Sequence, residues 1–162
     1  MDKAKLDREQ IKRLYEQHGR GLIAYACTFL PGFASAEDVL HQVFERLLRG
    51  GIDIEGSPVP YLYRAVRNAA LNDVRNRARD VVLDDWLESP PDMRDAGIVL
   101  QSALRDLPVE QREVITLRVW GQMTFDEVAT TLGIPAKTAE SRYRYGLSKL
   151  KEVFRPVTKG SI

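Results

Sequence analysis

A single cysteine, Cys27, leaves nothing for an internal disulfide to close on, which fits a reducing compartment. It stands in the apolar run LIAYACTFL, where a small core residue is a better reading than a reactive thiol. The two histidines, His18 and His41, have no Cys or His at ligand spacing, so no metal site is expected. No apolar stretch reaches membrane-spanning length, and the start MDKAKLDREQIKR is charged throughout. Neither a signal peptide nor membrane insertion is therefore expected, and a cytoplasmic location is. Carboxylate pairs, a Cys/His dyad and a phosphate-cradling glycine loop are also missing. An enzyme is disfavoured, with no catalytic residues and no cofactor expected. Net charge is nearly absent too, at +1.

What is present is a chain of 162 residues, 44% hydrophobic and 29% charged, enough for one ordinary folded domain or two small ones. The charge is sharply segregated. Between Pro60 and Arg79 five arginines face only Asp73, a local charge of +4. Between Asp80 and Leu100 six acids face only Arg94, giving −5, and between Ala136 and Arg155 six bases face Glu140 and Glu152, giving +4. Two cationic segments flank an acidic one.

Strand-like alternation is lacking, and the pattern predicts an all-α chain. A first helix is expected from about Arg8 to Leu30, with Leu14, His18, Leu22, Tyr25 and Phe29 on one face and Pro31-Gly32 as its stop. Ser35-Ala36-Glu37-Asp38 reads as a capping box opening a second helix. Its broad apolar face is Val39, Leu40, Val43, Phe44, Leu47 and Leu48, and Gly50-Gly51 stops it. A third helix runs from Tyr61 to about Arg79, with Leu62, Ala65, Val66 and Ala69 inward. These three helices define a first domain over 1–79. The acidic segment 80–97, with Pro90-Pro91, is a linker that still carries Val81, Val82, Leu83, Trp86 and Leu87. A second domain over 98–156 holds short helices at Ile98–Asp106, Val109–Trp120, Thr124–Leu132 and Ala136–Phe154, before a tail at 157–162.

FDEVATTLGIPAKTAESRYRYGLSKLK, residues 125–151, has the form of a helix-turn-helix. Gly133 supplies the turn, and Phe125, Val128, Ala129, Leu132 and Ile134 lock the pair. Ala139, Tyr143, Leu147, Leu150 and Phe154 form the inward stripe of the second helix, leaving Lys137, Ser141, Arg144, Tyr145 and Ser148 outward. A plain helical hairpin with a solvated charged face is the alternative. Glu140 can accept a hydrogen bond from cytosine N4, or simply favour the positive helix N-terminus. Either way, an acid among these bases lowers phosphate affinity, which grows with the number of phosphates neutralised. A protein with this surface should bind DNA weakly alone, inside a larger machine that supplies the rest of the affinity.

Both halves then resemble one family, the bacterial RNA polymerase sigma factors of the extracytoplasmic-function (ECF, group IV) class of the sigma-70 family. AEDVLHQVFERLL (36–48) is similar to the family's core-polymerase-binding helix, and PYLYRAVRNAALNDVRNRAR (60–79) to its −10-binding segment. ALRDLPVEQREVITLRVWGQMTFDEVATTLGIPAKTAESRYRYGLSKLK (103–151) is similar to its region 4. The resemblance implies a promoter-specificity subunit with two helical domains, region 2 and region 4. Glu37, Asp38, His41, Gln42, Glu45 and Arg46 would dock on the β′ clamp helices, with the β flap a further polymerase contact. His41-Gln42 departs from the family's usual Gln-Glu. Tyr61, Tyr63, Arg64, Arg67, Asn68, Asn72, Arg75 and Arg77 would capture the opened −10 strand, beside a loop at 50–60 that resembles the pocket for a flipped base. The tyrosines could instead be packing residues. Glu140, Ser141, Arg144 and Tyr145 would meet −35 bases, and Lys137, Thr138, Arg142 and Lys149 the phosphates. The resemblance also implies promoter DNA as partner, and an anti-sigma protein wedged between the domains is a further expectation. A stand-alone helix-turn-helix regulator and a degenerate sigma-like polymerase-binding protein are the competing readings.

Overall fold

The computed structural model describes residues 3–50, 52–77 and 103–153. A two-residue strand β1 (Lys3–Ala4) leads into α1 (Arg8–Ala26). The helix starts on a capping box: the Gln10 amide donates to the Asp7 carboxylate at 2.8 Å, and the Asp7 amide donates to the Gln10 side chain at 2.9 Å. It ends short of Leu30. The Thr28 and Phe29 amides turn back to carbonyls three residues earlier, tightening the chain before Pro31.

α2 (Phe33–Arg49) begins earlier than its sequence suggests, with Gly32 as N-cap and no side-chain cap. Ser35 lies inside the first turn and is buried, so the expected serine cap is replaced by a backbone start. Val39, Leu40, Val43, Phe44 and Leu47 are buried as expected, whereas Leu48 is exposed. Gly50, at φ 80°, closes the helix in a conformation that disfavours side chains. β2 (Ile54–Glu55) pairs antiparallel with β1, setting Ala4 opposite Ile54. Two residues are too few to show alternation, which is why the pairing leaves no sequence signal.

α3 (Pro58–Arg77) starts at a proline, shortening the expected 50–60 loop. Proline fits the first turn of a helix, where its missing N–H would have no intrahelical partner. Leu62, Tyr63, Val66 and Ala70 are its buried residues.

In the second half, residues 103–105 are helical, followed by α4 (Val109–Val119), α5 (Phe125–Leu132) and α6 (Ala136–Val153). The expected linker 80–97, the tail 157–162 and Phe154 fall outside the described residues.

The core does not divide at the linker. One cluster runs from Leu22, Tyr25, Leu40, Leu62 and Val66 into Val114, Leu117, Met123, Val128 and Ala139. A second, made of Ala103, Leu107, Ile115 and Leu150, lies between α4 and α6. α4 is buried at five successive positions, Glu113 to Leu117, because one side packs against α1 and the other against α6.

Cys27 is partly buried, and loss of hydration pushes its thiol up to about 11, with Arg105 pulling only weakly the other way. A raised thiol pKa means less thiolate near neutral pH. Alkylation of the folded chain is expected to run at least about tenfold slower than that of a small free thiol, and stopped-flow or mass-spectrometric labelling measures it directly.

Candidate nucleic-acid and polymerase interfaces

Thr124 caps α5 through a reciprocal pair of 3.1 Å hydrogen bonds with Glu127. Gly133 then takes the left-handed conformation, φ 68° and ψ 37°, at the expected turn. Edge-on contact of Phe125 with Tyr143, centroids 5.5 Å apart, fixes α5 against α6. The Arg118 guanidinium lies 4.3 Å from the Phe125 ring centroid and donates to the Met123 carbonyl at 2.6 Å. The helix-turn-helix is thus locked from behind by α4. Ala139 and Leu150 are buried, and Lys137, Glu140, Arg144, Tyr145 and Lys149 are exposed together on α6. Thr138, Ser141 and Arg142 are half-buried beside them.

On α2, Asp38, His41, Gln42, Glu45 and Arg46 are exposed and Glu37 is half-buried, all on one solvent-facing helix surface. Beside them is a shallow groove that the sequence reading missed. Tyr15 of α1 packs edge-on against Phe44, centroids 5.2 Å apart, and stacks toward His41 at 6.5 Å. Leu48 completes an apolar strip flanked by Glu45. Leu48 is therefore a surface residue here, where its helical spacing alone suggests core.

α3 presents a different picture. Asn68, Asn72 and Arg75 are exposed and Tyr61 is half-buried; Arg77 ends the helix, and its side chain lies outside the described residues. Tyr63 is fully buried, 5.4 Å from the Tyr25 ring, so in this state it is a packing residue, as the alternative reading allowed. Arg64 donates to the Thr130 carbonyl on α5 at 3.3 Å. Arg67 is bound to Glu113 of α4, its Nε 2.6 Å from Oε1.

Glu113 is 4% exposed, and the same Oε1 accepts a second hydrogen bond, 2.7 Å long, from the Tyr25 hydroxyl. Burial works against the charge on Arg67, and Glu113 more than compensates, holding its pKa above the ordinary arginine value. Burial first, and then the negative Glu113, push the Tyr25 phenol far upward, so it remains a donor at any working pH. Sequence reasoning missed Glu113 entirely. The available signal was an acid at the head of an apolar run, EVITL, on a helix apolar on more than one side.

A three-helix module beside a helix-turn-helix, each with a cationic face, defines a nucleic-acid-binding protein of bipartite design. The Sigma-70 region 2 family model matches residues 14–80, and the Sigma-70, region 4 model matches residues 98–150. The RNA polymerase sigma-E factor of Streptomyces coelicolor is 30% identical over 139 residues, covering 81% of this chain and 78% of the relative. The ECF RNA polymerase sigma factor SigL of Mycobacterium tuberculosis is 29% identical over 153 residues, covering 87% and 86%. Among solved structures, the sigma factor RpoE from Bartonella quintana, in complex with the anti-sigma factor NepR, superposes with a TM-score of 0.71 at 20% identity, over 91% of this chain and 98% of that one. CnrH in complex with the cytosolic domain of CnrY gives 0.66 at 23%, over 91% and 89%. The chain belongs to the sigma-70 family, as an RNA polymerase sigma factor of the ECF class. It directs RNA polymerase to promoters and has no enzymatic chemistry of its own. Among the described residues, no helix is long and apolar enough to cross a membrane.

Proposed function

We propose that this sigma factor divides promoter recognition between a region 2 module over 1–79 and a region 4 module over 98–156. The α2 surface at Glu37, Asp38, His41, Gln42, Glu45 and Arg46 docks on the β′ clamp helices, helped by the apolar strip of Tyr15 and Leu48. The α3 residues Tyr61, Arg64, Arg67, Asn68, Asn72, Arg75 and Arg77 hold the opened −10 strand. Tyr63 joins them only after it leaves the core. On α6, Arg144, Tyr145 and Ser141, with Glu140, meet −35 bases, while Lys137, Thr138, Arg142 and Lys149 meet phosphates.

The observation that carries this reading is the exposed cationic face of α6, presented by a helix-turn-helix whose turn, cap and apolar lock are all in place. Transcription in vitro with core polymerase on a promoter library tests it. The expected result is a set of transcripts sharing −10 and −35 elements. A chain that fails to associate with core, or associates without starting a transcript, would overturn the reading. Within that assay, Arg144→Ala is expected to cost about 1–3 kcal/mol of discrimination at one −35 position. Equal losses on all promoters would instead mark Arg144 as a phosphate contact.

We further propose regulation by an anti-sigma protein. One solved neighbour, the sigma factor RpoE from Bartonella quintana, is in complex with the anti-sigma factor NepR, which supports this reading. Direct packing of α3 on α5 and α1 on α4 favours a partner that wraps around the paired modules over one wedged between them. Constitutive promoter firing in cells, with no co-purifying partner under any growth condition, would sink this.

A further inference from the structure

Two of the four α3 arginines assigned above to DNA are engaged by this chain's own second half. Arg67 is held by the Glu113 carboxylate and Arg64 by the Thr130 carbonyl, both from the region 4 module. Glu113 offers Arg67 what a phosphate would offer, an anionic oxygen at charge-assisted hydrogen-bond distance. Tyr25 donates to that same oxygen from α1, so the carboxylate ties region 2 at two points. Tyr63, an expected base-stacking residue, is fully buried and packs on the ring of Tyr25, the same residue that Glu113 holds.

The α6 face is left out of this arrangement. Lys137, Arg144, Tyr145 and Lys149 remain exposed, while Arg67 is half-buried in its ion pair and Tyr63 is fully buried. The contact also carries a built-in weakness. The Tyr63 hydroxyl is buried with no hydrogen-bond partner among the described residues, and an unmet buried donor opposes the closed form.

We propose that Glu113 is an internal phosphate mimic, clasping Arg67 and Tyr25 so that the free chain masks part of its −10 single-strand surface while leaving its −35 surface open. Opening exchanges Glu113 for a DNA phosphate on Arg67 and releases Tyr63. The inference rests on the α3 reading given above, and it makes the closed chain selectively deaf to one promoter element. The apparent affinity for opened DNA is then reduced by the fraction of chains that are unclasped.

The test uses the full chain, with two variants and two labelled probes, a short single-stranded DNA and a short duplex, both of mixed sequence. Glu113→Gln removes the anion and keeps the shape. Tyr25→Phe weakens the clasp without changing any charge, and it carries the test alone should Glu113→Gln fail to fold. Fluorescence anisotropy is expected to show about tenfold tighter single-strand binding for Glu113→Gln and about threefold for Tyr25→Phe, with duplex binding within about twofold of the parent. Small-angle scattering should show a larger radius of gyration for both, at unchanged helix content by circular dichroism. Equal gains on both probes would reveal a plain charge effect and overturn the proposal. Unchanged dimensions with unchanged single-strand affinity in the folded variants would overturn the clasp itself. Expansion with no gain in single-strand binding would also overturn the masking, and would place the fault in the α3 reading, because scattering reports opening without DNA.

Discussion

Leu22→Ala is expected to destabilise the chain by about 2–5 kcal/mol, the range for emptying a fully buried leucine site, and to loosen both halves at once. Leu22 is 0% exposed on α1 and belongs to the cluster that also contains Val114 and Leu117 of α4 and Val128 of α5. Helix propensity cannot rescue the variant, because alanine gains only a few tenths of a kcal/mol over leucine at most. Removed methyl groups leave a cavity in a cluster that both halves share, and α1 itself packs against α2, α3 and α4. Hydrogen exchange followed by mass spectrometry separates the outcomes. Faster exchange in α4 as well as in α1 and α2 is the expected result. Acceleration confined to α1, α2 and α3 would show that the two modules keep separate cores.

That shared core marks the limit of what the sequence made legible. The six long helices could be read from apolar spacing and from local stops, because those signals act within one or two turns. Gly133 defines the turn of the helix-turn-helix so locally that it appears in the structure where spacing put it, and the Thr124–Glu127 capping box, not read from the sequence, starts the helix before it. Local rules failed where tertiary contact decided. Ser35 has the chemistry of a cap, yet α2 starts two residues before it, at Phe33, and buries it. Leu48 has core spacing, yet faces water beside Tyr15 and His41. Five of the candidate −35 residues, Lys137, Glu140, Arg144, Tyr145 and Lys149, are exposed on α6 as helical spacing suggests, with Thr138, Ser141 and Arg142 half-buried beside them. The state of the −10 candidates could not be read this way, since it depends on Glu113, which is 46 residues from Arg67 and 88 from Tyr25. No periodicity connects residues that far apart. The puzzle of a nearly neutral DNA-binding chain gains a physical answer at the same point. Arg67 is neutralised internally by Glu113, which would add to the weakness of DNA binding expected from composition.

Gly21→Ala sets two opposite effects against each other, and their sizes decide what it reports. Gly21 is inside α1, where glycine costs roughly 0.5–1 kcal/mol relative to alanine. A lone helix would therefore gain from the change. In the folded chain an added Cβ would overlap the Tyr63 hydroxyl, and would lie 3.3 Å from the Trp120 Cβ and 3.4 Å from its carbonyl oxygen. Tyr63 is fully buried and has little room to retreat, and the Trp120 carbonyl is backbone at the end of α4. Overpacking of this kind typically costs about 1–3 kcal/mol, more than the propensity gain. The expected result is a net loss of stability, or an expanded chain in which α1 and Trp120 have parted and the propensity gain survives. Thermal unfolding with small-angle scattering on the same sample distinguishes them. A variant with unchanged dimensions and higher stability would show that α1 does not press on Trp120 in solution. The close approach of the two modules, on which the proposed masking of the −10 surface depends, would then be lost along with it.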